Sequence, residues 1–208
     1  MIRMEPMEIE RRSMEIIESE LKFPLEEEVA PIVKRVIHAT ADFSFAENLR
    51  FTEGVVPRMR AMLLAGAFVV TDTNMALSGV NKSAAAKLGL KLRCFMAEPD
   101  VLEEAKARGV TRALVSMERA RMLPGPKLFV CGNAPTFLMP RLEGGAAEDV
   151  AVVGVPVGFV NVVEAKERLL ESGIPAITTV GRRGGSSVAA AIVNALMYGI
   201  EGVRSCGF

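Results

Sequence analysis

The chain contains one histidine, His38, and an imidazole is the side chain that gains and loses a proton most readily near neutral pH. It stands between the cations Lys34 and Arg35 and the carboxylate of Asp42, a setting for either a proton donor or an ordinary surface residue. A second candidate group is Arg182-Arg183, framed by Gly181, Gly184 and Gly185 and followed by Ser186-Ser187. Fixed cations just before a small-residue helix that Ser186 or Ser187 can cap suit an anion, because guanidinium charge and free helix N–H groups converge there. Thr111-Arg112, after Gly109, is a further helix start bearing a cation, with a solvated arginine as the alternative.

Other chemistries lack their residues. No Lys-Ser/Thr pair follows the glycines, GxGxxG is missing, and neither a GxSxG elbow nor a plausible Ser/His/Asp order occurs, which counts against phosphoryl transfer, hydride transfer and triad hydrolysis. Cys94, Cys131 and Cys206 make no CxxC pair, and His38 cannot complete a zinc site with them at a familiar spacing, so we expect no protein-held metal and no cofactor. Equal numbers of acidic and basic residues (25 each), no Trp and a single Tyr leave little to attract or stack a nucleic acid. The longest apolar stretches, Ala61 to Val70 and Val150 to Val160, fall well short of the roughly 18 to 20 residues of a membrane span. Charges run through the first twenty residues without an apolar signal core, and we expect a cytoplasmic protein.

The elements that must position these residues follow one theme. Short apolar or β-branched runs at Ala67 to Asp72, Lys91 to Met96, Leu128 to Cys131, Val150 to Val155 and Ala176 to Val180 read as strands. Segments near Pro57 to Ala65, Asp100 to Arg108, Thr111 to Met122, Ala134 to Leu142, Val160 to Ser172 and Ser186 to Tyr198 read as helices. This alternation predicts an α/β fold with an open, mainly parallel sheet and helices on both faces, a flavodoxin-like three-layer arrangement in a single domain over residues 1–208. Half the residues are hydrophobic before the 18 glycines are counted, above the roughly 45 to 50% that includes glycine in typical soluble domains. A sheet covered on both faces, or a sizeable subunit interface, uses that excess.

Two helices precede the sheet, over about residues 6–40. In the first, Ile9, Ile16 and Ile17 share a face and place the Ser13 hydroxyl inward, where the plain reading is a bond back to the carbonyl four residues earlier. In the second, from Glu26 to Thr40, Val29, Ile32, Val33, Val36 and Ile37 form a broad apolar stripe, and Pro31 predicts a kink or an offset start. His38 lies off that stripe.

Ligands of open α/β sheets bind beyond the carboxyl ends of the strands, here at Asp72-Thr73-Asn74, Gly132 to Thr136, Gly154 to Phe159 and Gly181 to Ser186. With Ser13, Arg35 to Thr40, Thr71-Asp72, Asn74-Met75, Thr111-Arg112, Gly132 to Thr136, Pro156 to Val160, Glu164 to Glu167 and Gly181 to Ser186 in this order, the sequence resembles the precorrin-8X methylmutase family with its cobalt-precorrin-8 counterpart. The resemblance spans nearly the whole chain. It implies an isomerase of cobalamin biosynthesis that moves a methyl group from C11 to C12 of a corrin ring, giving hydrogenobyrinate or its cobalt form, cobyrinate. It also implies a homodimer with the corrinoid held at or near the interface.

Carried over, His38 is the catalytic acid, and Ser13, Arg35 and Asn133 bind substrate. Thr111 joins them as substrate-binding, and Arg112 with Arg182, Arg183 and Ser186 of the Gly181 to Ser186 loop is nominated for the substrate's carboxylates, to which a guanidinium offers a planar fork of donors. Ala113, Met14 and Phe137 depart from the residues frequent in the family, which affects fine substrate contacts more than the chemistry. Two other readings stand beside this one: a corrinoid or tetrapyrrole carrier without turnover, and an anion-dependent enzyme using the Arg182-Arg183 loop for a phosphorylated ligand. Whether the substrate carries cobalt is not written in these residues.

Overall fold

β-branched and apolar runs bounded by glycine loops make strands only where both faces can be covered, and here they form the middle of one sheet. The computed structural model of the chain describes residues 5–143 and 148–203, so Cys206 lies outside the described residues. In chain order the helices are α1 (Pro6–Glu20), α2 (Ala30–Thr40), α3 (Phe45–Asn48), α4 (Val55–Leu64), α5 (Asn74–Gly79), α6 (Lys82–Lys87), α7 (Pro99–Arg108), α8 (Arg112–Arg121), α9 (Met139–Glu143), α10 (Val162–Glu171) and α11 (Ser186–Tyr198). The strands are β1 (Leu49–Phe51), β2 (Phe68–Thr71), β3 (Lys91–Arg93), β4 (Lys127–Cys131), β5 (Val150–Gly154) and β6 (Ala176–Thr179), and a 3₁₀ turn covers Pro135–Phe137.

The strands lie in the order β1-β6-β5-β4-β2-β3, all parallel except β1, which runs antiparallel along the outer edge of β6. Among the parallel strands this is the flavodoxin-like order, with its switch point between β2 and β4. Successive side chains go to opposite faces. Thus Leu128 and Val130 of β4 join the core under α2, α4 and α11, while Phe129 and Cys131 join the core under α8 and α10. α11 is buried almost all round, as a helix of small and apolar residues must be, and packs on α2, α5 and the sheet.

Several elements differ from the sequence expectation for identifiable reasons. α2 begins at Ala30 with Pro31 in its first turn, so the proline marks an offset start rather than a kink. The segment from Ala134 to Leu142 divides into the 3₁₀ turn and α9, each opening on a region that contains a proline without an N–H to give. β1, α3, α5 and α6 escape the pattern because each spans only three to six residues. Ile17 is buried, but Ile9 and Ile16 are about half exposed, so α1 lays only part of its isoleucine stripe on the core.

Candidate functional site at the carboxyl edge

At the switch point, the last residues of β2 deliver a buried carboxylate. Both oxygens of Asp72 collect backbone N–H groups of the loop after β4: Oδ1 accepts from Gly132 at 3.0 Å, and Oδ2 from Asn133 at 2.7 Å and Ala134 at 2.8 Å. Cys131 Sγ lies 3.6 Å from the same Oδ2. Burial pushes the Asp72 carboxyl above the usual carboxylate range, and the three N–H bonds oppose that rise by stabilising the anion.

The loop after β6 is organised by the opposite charge. Lys166 is 2% exposed on the apolar stripe of α10, and its ammonium donates to the carbonyls of Gly181 at 2.9 Å and Arg183 at 2.7 Å. Burial lowers this amine to about 8. The Arg183 carbonyl also accepts from Thr179 Oγ1 at 2.7 Å, and the Arg182 carbonyl from Gly158 N at 3.2 Å.

The two loops meet at the start of α11. A Cβ on Gly132 would stand 2.7 Å from Ser186 Cα, and one on Gly184 would stand 2.1 Å from the Val155 carbonyl oxygen, so glycine is required at both close approaches. Ser186 does not cap α11, nor does Ser187: Gly185 is the N-cap, with no side-chain cap bond, and this corrects the sequence expectation. The Ser186 hydroxyl is instead 2.9 Å from Thr73 Oγ1, the cap of α5, because Gly132 lets the helix start press against the end of β2.

His38 lies on the last turn of α2 with its side chain exposed, as its position off the apolar stripe predicts. Ala41 ends the helix in the left-handed region, and the turn beyond it brings Asp42 and Ser44 to Arg183, which pairs with the carboxylate and also donates to the Ser44 hydroxyl. The Ser44 hydroxyl holds the Asp42 carboxyl below its usual range, with Arg183 adding to the effect. A 380 Å³ hollow bounded by Leu21, Phe23, Phe43, Ser44 and Glu47 opens beside this contact. Arg182 lies over the ring of Phe159, 5.2 Å from its centroid, and that ring is 82% exposed beside exposed Val157 and Val160.

The remaining sequence candidates divide into two groups. Thr111 caps α8 through Leu114 N and donates to Thr136 Oγ1 at 3.1 Å, tying that helix start to the loop after β4. Arg112 is exposed and reaches the Met96 carbonyl at 3.3 Å, and Asn133 has an exposed side chain while its N–H serves Asp72. Ser13 donates to the Ile9 carbonyl at 2.7 Å, the bond expected of a helical serine. Arg35 pairs with Glu10 at 2.5 Å and lies 5.3 Å from the centroid of Tyr198, so it fastens α1 and α2 to the end of α11 opposite Ser186. The structure therefore gathers the end of α2, Arg183, Ser186 and the loop after β4 at the carboxyl edge, and gives Ser13 and Arg35 internal partners.

Asp72 and Lys166 organise the site, whereas the sequence placed them only within a strand end and matching segments and gave neither a role of its own. Both left a signal: Asp72 ends an otherwise apolar strand, and Lys166 falls at helical spacing between Val162 and Leu169, on the buried stripe.

Fold and loops define a flavodoxin-like α/β protein whose candidate chemistry sits at the carboxyl edge of its sheet. The sequence profile described as precorrin-8X methylmutase matches residues 8–199. The chain is 46% identical over 168 residues to the cobalt-precorrin-8 methylmutase of Salmonella typhimurium, covering 80% of each chain. It is 40% identical to the precorrin-8X methylmutase of Pseudomonas aeruginosa, over 78% of this chain and 80% of that one. A crystal structure of precorrin-8x methyl mutase from Thermus thermophilus superposes with a TM-score of 0.83 at 36% identity, covering 92% of this chain and 95% of that one. The chain belongs to the precorrin-8X methylmutase family, isomerases that carry out a methyl migration in cobalamin biosynthesis.

Proposed function

We propose that the protein isomerises precorrin-8X, or cobalt-precorrin-8, by moving the methyl group at C11 to C12, with His38 as the acid that protonates the macrocycle. The observation that carries this reading is the contact of Arg183 with Asp42 and Ser44, which brings a cationic loop 140 residues distant in sequence to the turn beside His38. A corrinoid bearing several carboxylates has an apolar ring and an anionic rim. The carboxyl edge offers matching chemistry: exposed Phe159 and Val160 for the ring, Arg182, Arg183 and Arg112 for the rim, and an exposed imidazole as proton source. Protonation draws electron density from the conjugated ring, which assists migration of the methyl group without any change of oxidation state. A positioned acid contributes about 10² to 10⁴ in rate.

In this reading the whole chain, residues 1–208, acts as one domain in the cytoplasm, as a homodimer whose second copy covers the face that leaves His38 wet. The relatives carry both substrate names, so the test uses both substrates. Purified protein is mixed with metal-free and with cobalt-containing substrate, and the visible spectrum is followed as the methyl group moves. His38→Ala is expected to bind hydrogenobyrinate as the parent does and to lose isomerisation by about 10² to 10⁴. Unchanged turnover in His38→Ala removes the acid assignment; binding without turnover in the parent protein makes it a carrier.

Among the described residues no helix is long and apolar enough to cross a membrane.

A further inference from the structure

Lys166 is a buried ammonium for which no carboxylate partner exists among the described residues; its two hydrogen bonds go to main-chain carbonyls of the arginine loop. Burying an ammonium is costly, and a methionine of similar length would fill the same space on the apolar stripe without that cost. What methionine cannot do is turn carbonyls inward. Three consecutive carbonyls, those of Gly181, Arg182 and Arg183, are each held by a donor inside the protein, and Lys166 supplies the bonds at both ends of the run. With the carbonyls fixed inward, the loop's arginine side chains are carried outward, over Phe159 in one case and to the turn after α2 in the other.

We infer that Lys166 is a positioning residue, which keeps the 181–183 backbone in the one arrangement that aims Arg182 and Arg183 at the carboxylates of the substrate. This rests on the reading that the loop receives those carboxylates. Lys166 touches no reacting atom, so its effect is confined to substrate capture and passes entirely through the two guanidinium groups.

Four proteins test it: the parent, Lys166→Met, the pair Arg182→Ala with Arg183→Ala, and the triple variant. For each, KM and kcat of the isomerisation, the affinity for hydrogenobyrinate by visible titration, and the thermal midpoint are measured. The arginine pair is expected to raise KM about 100-fold, and Lys166→Met about tenfold with kcat within about threefold of the parent, less than the roughly 100-fold that an ångström of misplacement can cost because both guanidinium groups remain. The triple variant should match the arginine pair within about threefold, because removing the clamp costs nothing once the groups it aims are gone. A Lys166→Met protein that folds and keeps the parent KM, or a triple variant in which the two effects multiply, overturns the inference. If the arginine pair itself leaves KM unchanged, the carboxylate reading of the loop fails instead, and the two failures are told apart by that protein alone. Should Lys166→Met not fold, Lys166→Gln is used, whose shorter amide reaches at most one carbonyl; a KM-only loss supports the inference and a parent-like KM overturns it.

Discussion

The loops after β4 and after β6 lie side by side at the carboxyl edge, yet a buried anion organises the first and a buried cation the second. Asp72 draws three N–H groups of the Gly132 to Ala134 loop inward, which consumes the donors that could have formed an anion-binding concavity there. Lys166 draws carbonyls of the Gly181 to Arg183 loop inward and leaves its cationic side chains facing out. Both loops are glycine-bearing turns at the carboxyl ends of β4 and β6, the two strands that flank β5, and by sequence only the second carries the cations that suit an anion. The sign of the buried charge beneath each one separates them: the loop after β6 turns its cations outward, and the loop after β4 commits its N–H donors to its own shape.

Breaking the anionic clamp should have the largest effect on stability. In Asp72→Ala both acceptor oxygens are lost, which strands the N–H groups of Gly132, Asn133 and Ala134. At about 1 to 3 kcal/mol for each buried unsatisfied donor, the loss should be about 4 kcal/mol by urea denaturation. Parent-like stability would show that Asp72 does not organise its loop.

A somewhat smaller effect should appear with pH at the cationic clamp. The folded protein lowers Lys166 to about 8, while the unfolded chain keeps an ordinary lysine near 10.5. Between those values the unfolded state binds more protons, so stability rises with pH through that window, and the buried ammonium is a liability below about 8. The relief should approach about 3 kcal/mol between pH 7 and 11, read as the difference between the parent and Lys166→Met so that other titrations cancel. A parent curve parallel to that of Lys166→Met would remove the charged clamp from the comparison.

The smallest effect should come from the seam between the loops. Ser186→Ala deletes the hydroxyl contact with Thr73 but leaves Thr73 capping α5, so about 1 kcal/mol of stability should be lost. KM should stay near that of the parent if the hydroxyl belongs to the seam, and a tenfold rise would assign Ser186 to substrate instead.

Much of this was legible in the residues. The order of strands and helices, the exposure of His38 on α2 and the bond from Ser13 to the Ile9 carbonyl follow from local periodicity, which acts over a few neighbouring residues. The antiparallel edge strand β1 was not legible, because three residues hold too little pattern and its pairing partner β6 lies about 130 positions away. Ser186 pointed to a cap by its place before a helix, but the closeness of Gly132 decided otherwise.

The sequence by itself determined the class of fold, the family resemblance and the place of the single histidine off the apolar stripe of α2, since each depends on residue type and short-range spacing. Only the tertiary structure decided which charge lies under which loop, that Arg183 reaches Asp42 across 141 positions, and that Arg35 is engaged by Glu10 and Tyr198. Those outcomes depend on which segments the sheet order places side by side, and on the low-dielectric interior that makes a buried ammonium or carboxylate seek every main-chain partner within reach.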